Sequence, residues 1–171
     1  KRLGEYAVRI GKTLGLDQMD LETLWLGGVF HDLGKIAVSD SVLNKPAPLT
    51  PEEFGVMKTH PAVGADLCGA MRTMERVIPL IRHHHEKLDG SGYPDGLAGR
   101  EIPLLVRIIT AVDVYDALAT ARPYRKALPH ETCMTILREE AMRGSWDRDI
   151  VEMLDQGRAM APAMGPGSTG R

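Results

Sequence analysis

Two short stretches of this 171-residue chain gather the side chains that bind metal: His31-Asp32-Leu33-Gly34-Lys35 and His83-His84-His85-Glu86. Neutral imidazole and carboxylate hold first-row divalent ions. Four of the six histidines lie in these two stretches, and a fifth, His60, stands directly before Pro61. Asp113 ends the run Ile108-Ile109-Thr110-Ala111-Val112, where an acid is costly unless it is paired or bound to a cation. Consecutive residues on a helix point about 100° apart. His31 and Asp32 therefore cannot both face one ion squarely unless the helix end lies close to it. They can serve two ions if the carboxylate bridges, and the same geometry applies to His84 and His85. A mixed imidazole and carboxylate set drawn from four segments suits a pair of Fe, Mn or similar ions. A structural zinc would favour thiolates.

The elements that must position these groups read as helices. Leu3, Ala7, Ile10 and Leu14 recur at helical spacing, with Gly15 as a stop. Asp20 is expected to cap a second helix whose apolar run, Leu21 to Phe30, leads straight into His31. The His-Asp pair then falls in the last turn of a buried helix. Residues 43–49 contain two prolines and read as loop. Thr50-Pro51-Glu52-Glu53 is a strong helix start, with a cap, a proline in the first turn and an acid three residues after the cap. That helix is expected to reach about Thr59, and His60-Pro61 breaks it, which places His60 at a helix junction. A further helix is expected over roughly 74–85, bent at Pro79. Residues 89–100 hold four glycines and one proline and form a long irregular loop, of the kind that often carries function. Helices opening at Pro103 and Pro129, and a short one over 147–155, complete the pattern. No hairpin signal and no repeat is evident. The expected fold is a compact all-α bundle.

Composition narrows the function classes. A formal net charge of −2 lacks the basic excess of a general nucleic-acid binder. No apolar run reaches the ~18 residues of a membrane span, and no signal-peptide pattern opens the chain. Cys68 and Cys133 sit in apolar helical segments and read as buried free thiols, which suits a reducing cytoplasm. Residues 1–155 are expected to form one domain. Residues 156–171, rich in Gly, Ala and Pro, read as a disordered tail.

The ordered set His31-Asp32-Leu33-Gly34-Lys35, His60-Pro61, His84-His85-Glu86, Gly92-Tyr93-Pro94, Asp113 and Arg122-Pro123-Tyr124-Arg125 resembles the HD-GYP domains over about residues 2–155. These are a branch of the metal-dependent phosphohydrolases of the HD superfamily. The resemblance implies a helical fold, a centre of two or three divalent ions (Fe or Mn), and hydrolysis of cyclic di-GMP to pGpG and onward to GMP in bacterial signalling. It implies His31, Asp32, His60, His84, His85 and Asp113 as metal ligands, with Asp32 bridging and catalytic. It places Lys35 beside the metals and the scissile phosphate. Tyr93, Arg122 and Arg125 then contact substrate, with Arg125 standing where many members have lysine. The Gly-Tyr-Pro loop is implied as a docking point for a GGDEF-type or other signalling partner. A further histidine ligand and an N-terminal regulatory domain, such as a phosphoreceiver, are implied upstream of Lys1.

Plainer readings of single residues stand beside these. A lone His-Asp pair is also what a hydrogen-bonded helix C-terminus looks like. Asp113 could be a structural acid paired with Arg107. Asp116 reads as a helix-surface acid, Glu86 as a residue that orients a histidine or caps the loop, and His83 and His130 as solvated. Lys12, Lys45 and Lys58 read as solvated charges. Arg122 and Arg125 could simply follow a helix end. Two rival functions remain from the sequence: a non-catalytic cyclic-dinucleotide sensor or docking module, and a phosphohydrolase acting on another cyclic dinucleotide.

Overall fold

A computed structural model describes residues 1–121 and 126–159, with side chains through Gln156. The order is α1 (Arg2–Thr13), α2 (Gln18–Phe30), a 3-10 segment (Leu33–Ala37), α3 (Asp40–Leu43), α4 (Pro51–Met57), α5 (His60–Cys68), α6 (Ile78–His83), α7 (Leu104–Ala119), α8 (His130–Met142) and α9 (Arg148–Ala159). Short 3-10 turns at Arg72–Met74 and Gly99–Glu101 flank α6 and α7. Among the described residues there is no strand, only an isolated bridge between Asp89 and Ala98. The all-α expectation holds. No described helix is long and apolar enough to cross a membrane.

The central helix is α7, because Val106, Ile108, Ile109, Ala111, Val112 and Tyr115 are all buried. The α1 helix packs on α2 and, with α9, against α7, and α8 closes the bundle. A smaller apolar cluster of Cys68, Met74, Val77 and Ile81 lies beneath α5 and α6. Cys68 and Cys133 are buried and form no disulfide. The site residues belong to α7 and to the chain ends of α2, α5 and α6.

Local expectations need correction at five places. Asp17, not Asp20, caps α2: its carboxylate accepts from the Asp20 backbone N–H at 2.8 Å. No single bent helix covers 74–85; a 3-10 turn ends at Met74, and α6 begins at Ile78 with Pro79 in its first turn, where proline costs no hydrogen bond. His130 is not solvated. It donates from Nε2 to Asp155 at 2.7 Å and accepts at Nδ1 from the Tyr115 hydroxyl at 3.1 Å, tying α8 and α9 to α7. Asp155 also accepts from Arg138, which forks onto Glu152. The α9 helix runs to Ala159, past the expected start of the tail, and residues 160–171 lie outside the described residues. Lys45 is not free either, since it pairs with Glu53 at 2.6 Å.

Gly34 explains how the His31-Asp32 turn reaches α5. A methyl group there would overlap the His60 carbonyl oxygen and lie 2.6 Å from the Gly64 nitrogen. Only a glycine lets these two backbones touch. Gly34→Ala is expected to cost about 2 kcal/mol or more, because backbone faces backbone and cannot yield as a side chain can. Denaturant unfolding measures the loss, and a wild-type midpoint would show that the contact is not obligatory.

Candidate metal centre

Three histidines are oriented by the same local device. His31 Nδ1 donates to the Gly28 carbonyl (3.2 Å), His60 Nδ1 to Met57 (2.8 Å) and His84 Nδ1 to Ile81 (2.7 Å), each three residues back. Each ring therefore turns Nε2 inward, as ligand histidines do when the other nitrogen is committed to a carbonyl. The expected helix junction supplies His60, the first residue of α5, with Pro61 harmless in the first turn. The C-terminal end of α6 supplies His84, and α7 supplies Asp113.

These groups meet around Asp32, in two sets. On one side, His31 Nε2 lies 3.5 Å from Asp32 Oδ2 and 3.5 Å from Asp113 Oδ1. On the other, Asp32 Oδ1 lies 3.4 Å from His60 Nε2 and 3.9 Å from His84 Nε2. Asp32, His60, His84 and His85 each offer one donor atom, and these atoms lie within 4.8 Å of one another. The two oxygens of Asp32 thus face different sets. Asp113 turns to His31 and not to Arg107, which instead binds Asp147 and the Ile102 carbonyl.

The electrostatics of the two sets differ. Burial works against charge on His31, but hydrogen bonds to Asp113 and Asp32 prevail and push its pKa up to about 9. Burial also opposes charge on the two acids, yet His31 holds Asp113 below the usual carboxylate range, and His31, His60 and Lys35 do the same for Asp32. In the second set, burial together with the neighbouring His85 and His31 holds His84 well below the ordinary value. Burial lowers His85 to about 4, against the pull of Asp113.

A divalent cation fits this arrangement. His60 Nε2 and His84 Nε2 face each other at 3.2 Å. Both rings have committed Nδ1–H to carbonyls, so in the neutral rings two lone pairs point at one another. Between neutral rings that contact is repulsive, and a divalent cation between the nitrogens makes it favourable. Donors about 2.1 Å from one ion, at octahedral or tetrahedral angles, lie about 3.0–3.4 Å apart, close to the separations seen here. The donors are nitrogen and oxygen only, which suits ions softer than Ca²⁺ and outside the thiolate sites of structural zinc.

Around this centre lie the remaining expected site residues. Lys35 Nζ touches Asp32 Oδ2 at 2.6 Å. The Tyr93 ring lies over His85, with centroids 4.9 Å apart and planes 31° apart. Burial and the charges of Asp113 and Asp32 raise the Tyr93 phenol above its ordinary value, so it stays a hydrogen-bond donor. Arg122 and Arg125 lie outside the described residues.

The loop that carries Tyr93 is anchored by Glu86, which caps it and does not orient a histidine. Its buried carboxylate accepts from the backbone N–H groups of Asp95 (2.7 Å), Gly96 (3.0 Å) and Leu97 (3.1 Å). Gly92 closes on the same turn, where a methyl group would overlap Glu86 Cα and lie 2.5 Å from the Lys87 nitrogen. His83 is not at the surface as expected. It is mostly buried and contacts Asp95 at 2.9 Å, beside the two-pronged Arg82–Asp95 pair. Phe54 and Lys58, absent from the expected site, border Tyr93. Their spacing of four on one helix face, just ahead of His60, is the signal that would have found them.

Comparison with known proteins agrees with this geometry. The family described as "HD domain" matches residues 1–150. The chain is 43% identical over 162 residues to the cyclic di-GMP phosphodiesterase response regulator RpfG of Xanthomonas campestris, covering 93% of this chain and 42% of that protein. It is 36% identical over 141 residues to 3'3'-cGAMP-specific phosphodiesterase 3 of Vibrio cholerae, covering 81% of this chain and 30% of that protein. The chain thus spans less than half the length of these relatives. Among solved structures, an HD-GYP-type protein of Bdellovibrio bacteriovorus superposes with a TM-score of 0.75 at 21% identity, over 90% of this chain and 49% of that one. The chain belongs to the HD domain family, a family of divalent-metal phosphohydrolases, and its motif order is that of the HD-GYP branch.

Proposed function

We propose that this chain is the catalytic domain of a bacterial phosphodiesterase that hydrolyses cyclic di-GMP to pGpG and then GMP. The observation that carries this reading is the pair of inward-facing imidazole nitrogens, His60 and His84, beside a carboxylate shared with a second donor set. His31, Asp32 and Asp113 would hold one divalent ion, and Asp32, His60, His84 and His85 another. Fe or Mn suits these donors best, and a third ion would need the further histidine expected upstream of Lys1. When bound, such ions supply Lewis acidity and a more acidic water at the centre.

The chain's own residues then do the following. Asp32 and Asp113 keep their charge and orient His31 between them. The Lys35 ammonium, held at Asp32, lies where it can offset negative charge on the phosphoryl oxygens. Tyr93 presents a protonated phenol to the same region. Arg122 and Arg125 are assigned to the substrate phosphates, which suit the guanidinium fork. Water adds to phosphorus and the bond to the 3′ oxygen breaks, leaving a 5′ phosphate and a 3′ hydroxyl. The Gly92-Tyr93-Pro94 loop is assigned to docking of a GGDEF-type or other signalling partner. The relative named a response regulator supports an N-terminal regulatory domain and a cytoplasmic setting.

The test is to load the protein anaerobically with Fe(II) or Mn(II) and follow cyclic di-GMP by product chromatography. Appearance of pGpG and GMP is expected. Tight binding without turnover would instead support the sensor reading. The relatives named for 3'3'-cGAMP make that dinucleotide the competing substrate to include. Arg122→Ala is expected to raise KM about tenfold or more with metal content intact. Loss of metal in that variant would show that Arg122 supports the centre instead of the substrate.

A further inference from the structure

Beyond the metal centre, a line of rings runs outward to solvent. His84 and His85 lie with centroids 4.1 Å apart, Tyr93 lies 4.9 Å beyond His85, and Phe54 meets Tyr93 edge-on at 6.3 Å. Phe54 is 44% exposed, although an aromatic ring of this size is usually hidden. The Lys58 ammonium sits 4.8 Å from the Phe54 ring centroid and 5.4 Å from that of Tyr93. The helix carrying both is rigid at its start, where Thr50 and Glu53 form a reciprocal capping box and Lys45 grips Glu53. A cation is favoured at the end of any helix. That preference accounts for a lysine at position 58 but not for its seat over two rings beside the centre.

We propose that Phe54, Lys58 and the outer part of Tyr93 form the base subsite of the enzyme, selecting guanine over adenine. This inference rests on the cyclic-dinucleotide phosphodiesterase reading. Phe54 stacks on the base next to the reacting phosphate. Stacking one base on an aromatic ring is worth about 5- to 150-fold in affinity. The cation–π contact that the base displaces is worth about 2- to 5-fold at an exposed position, so the exchange favours the ligand. The released ammonium then has acceptors within reach. Guanine offers O6 and N7 on one edge, whereas adenine puts an N6 donor beside N7, which repels a lysine. Lys58 thus reads the base that Phe54 holds.

The experiment compares metal-loaded wild type with Phe54→Ala, Phe54→Leu, Phe54→Trp and Lys58→Met on cyclic di-GMP, 3'3'-cGAMP and cyclic di-AMP, with metal content measured throughout. Phe54→Ala and Phe54→Leu are expected to raise KM about tenfold on all three, with a much smaller change in kcat, and Phe54→Trp to restore it. Lys58→Met is expected to lower the preference for cyclic di-GMP over cyclic di-AMP about tenfold. A wild-type KM in Phe54→Leu would overturn the stacking role. Unchanged preference in Lys58→Met would overturn the reading of guanine. A wild-type protein that turns over none of the three would overturn the functional reading itself, and this inference with it.

Discussion

Asp32→Ala is expected to lower turnover by at least about 1,000-fold, more than the loss of a single electrostatic donor usually costs, and to strip the protein of most of its metal. The reason is positional. One oxygen of Asp32 faces His31 and the other faces His60 and His84, at 3.4–3.9 Å. No other side chain in the cluster reaches both donor sets, so its removal weakens both at once. It also leaves Lys35 and His31 with less negative charge to balance them. Elemental analysis beside product chromatography measures both losses. A variant that keeps full metal occupancy would show that Asp32 is not the shared ligand, and one that keeps turnover would remove it from catalysis. Circular dichroism separates either result from unfolding, since Asp32 is partly exposed and no part of the apolar core.

The second large effect concerns pH. His31 is protonated at neutral pH, with a pKa near 9, whereas His84 and His85 are neutral there. An ion entering the His31 set must displace a proton, whereas His84 and His85 offer the second ion lone pairs that are already free. Proton competition weakens binding as pH falls. Affinity of the first set is therefore expected to rise about tenfold per pH unit up to pH 9, or about 100-fold from pH 6 to 8. His84 and His85 add no such dependence to the second set across the same range. Mn(II) titrations by calorimetry in buffers of different ionisation enthalpy count the protons released. Equal slopes for the two ions, or no proton release, would contradict the assignment of His31 as an imidazolium between two acids. Linkage gives a matching sign for the metal-free fold. A pKa raised from 6.5 to about 9 adds stability that is fully present below pH 6.5 and is lost as pH rises through 9.

How much of this was legible beforehand differs from residue to residue. Among the helices of the bundle core, α1 was readable from apolar periodicity, α2 from a continuous apolar run, and α7 and α8 from the prolines that open them. The capping box of α4 and the break at His60-Pro61 were readable because both depend on local chemistry. The cap of α2 was misplaced by three residues, since Asp17 and Asp20 are chemically equivalent and only the path of the entering chain chooses between them. The helix expected over 74–85 is shorter, because packing of Met74 and Val77 against Cys68 ends one turn and begins another.

The available chemistry was already written in residue order: six imidazole and carboxylate groups, and the segments that carry them. Side-chain type and helical periodicity are local properties, and they survive without a fold. Folding alone sets which oxygen of Asp32 faces which set, ties His130 to α9 instead of leaving it in solvent, and brings Phe54 and Lys58 against Tyr93. Those relations join residues far apart in the chain. Their distances depend on close packing between helices, such as the backbone contact allowed by Gly34, which no single segment encodes.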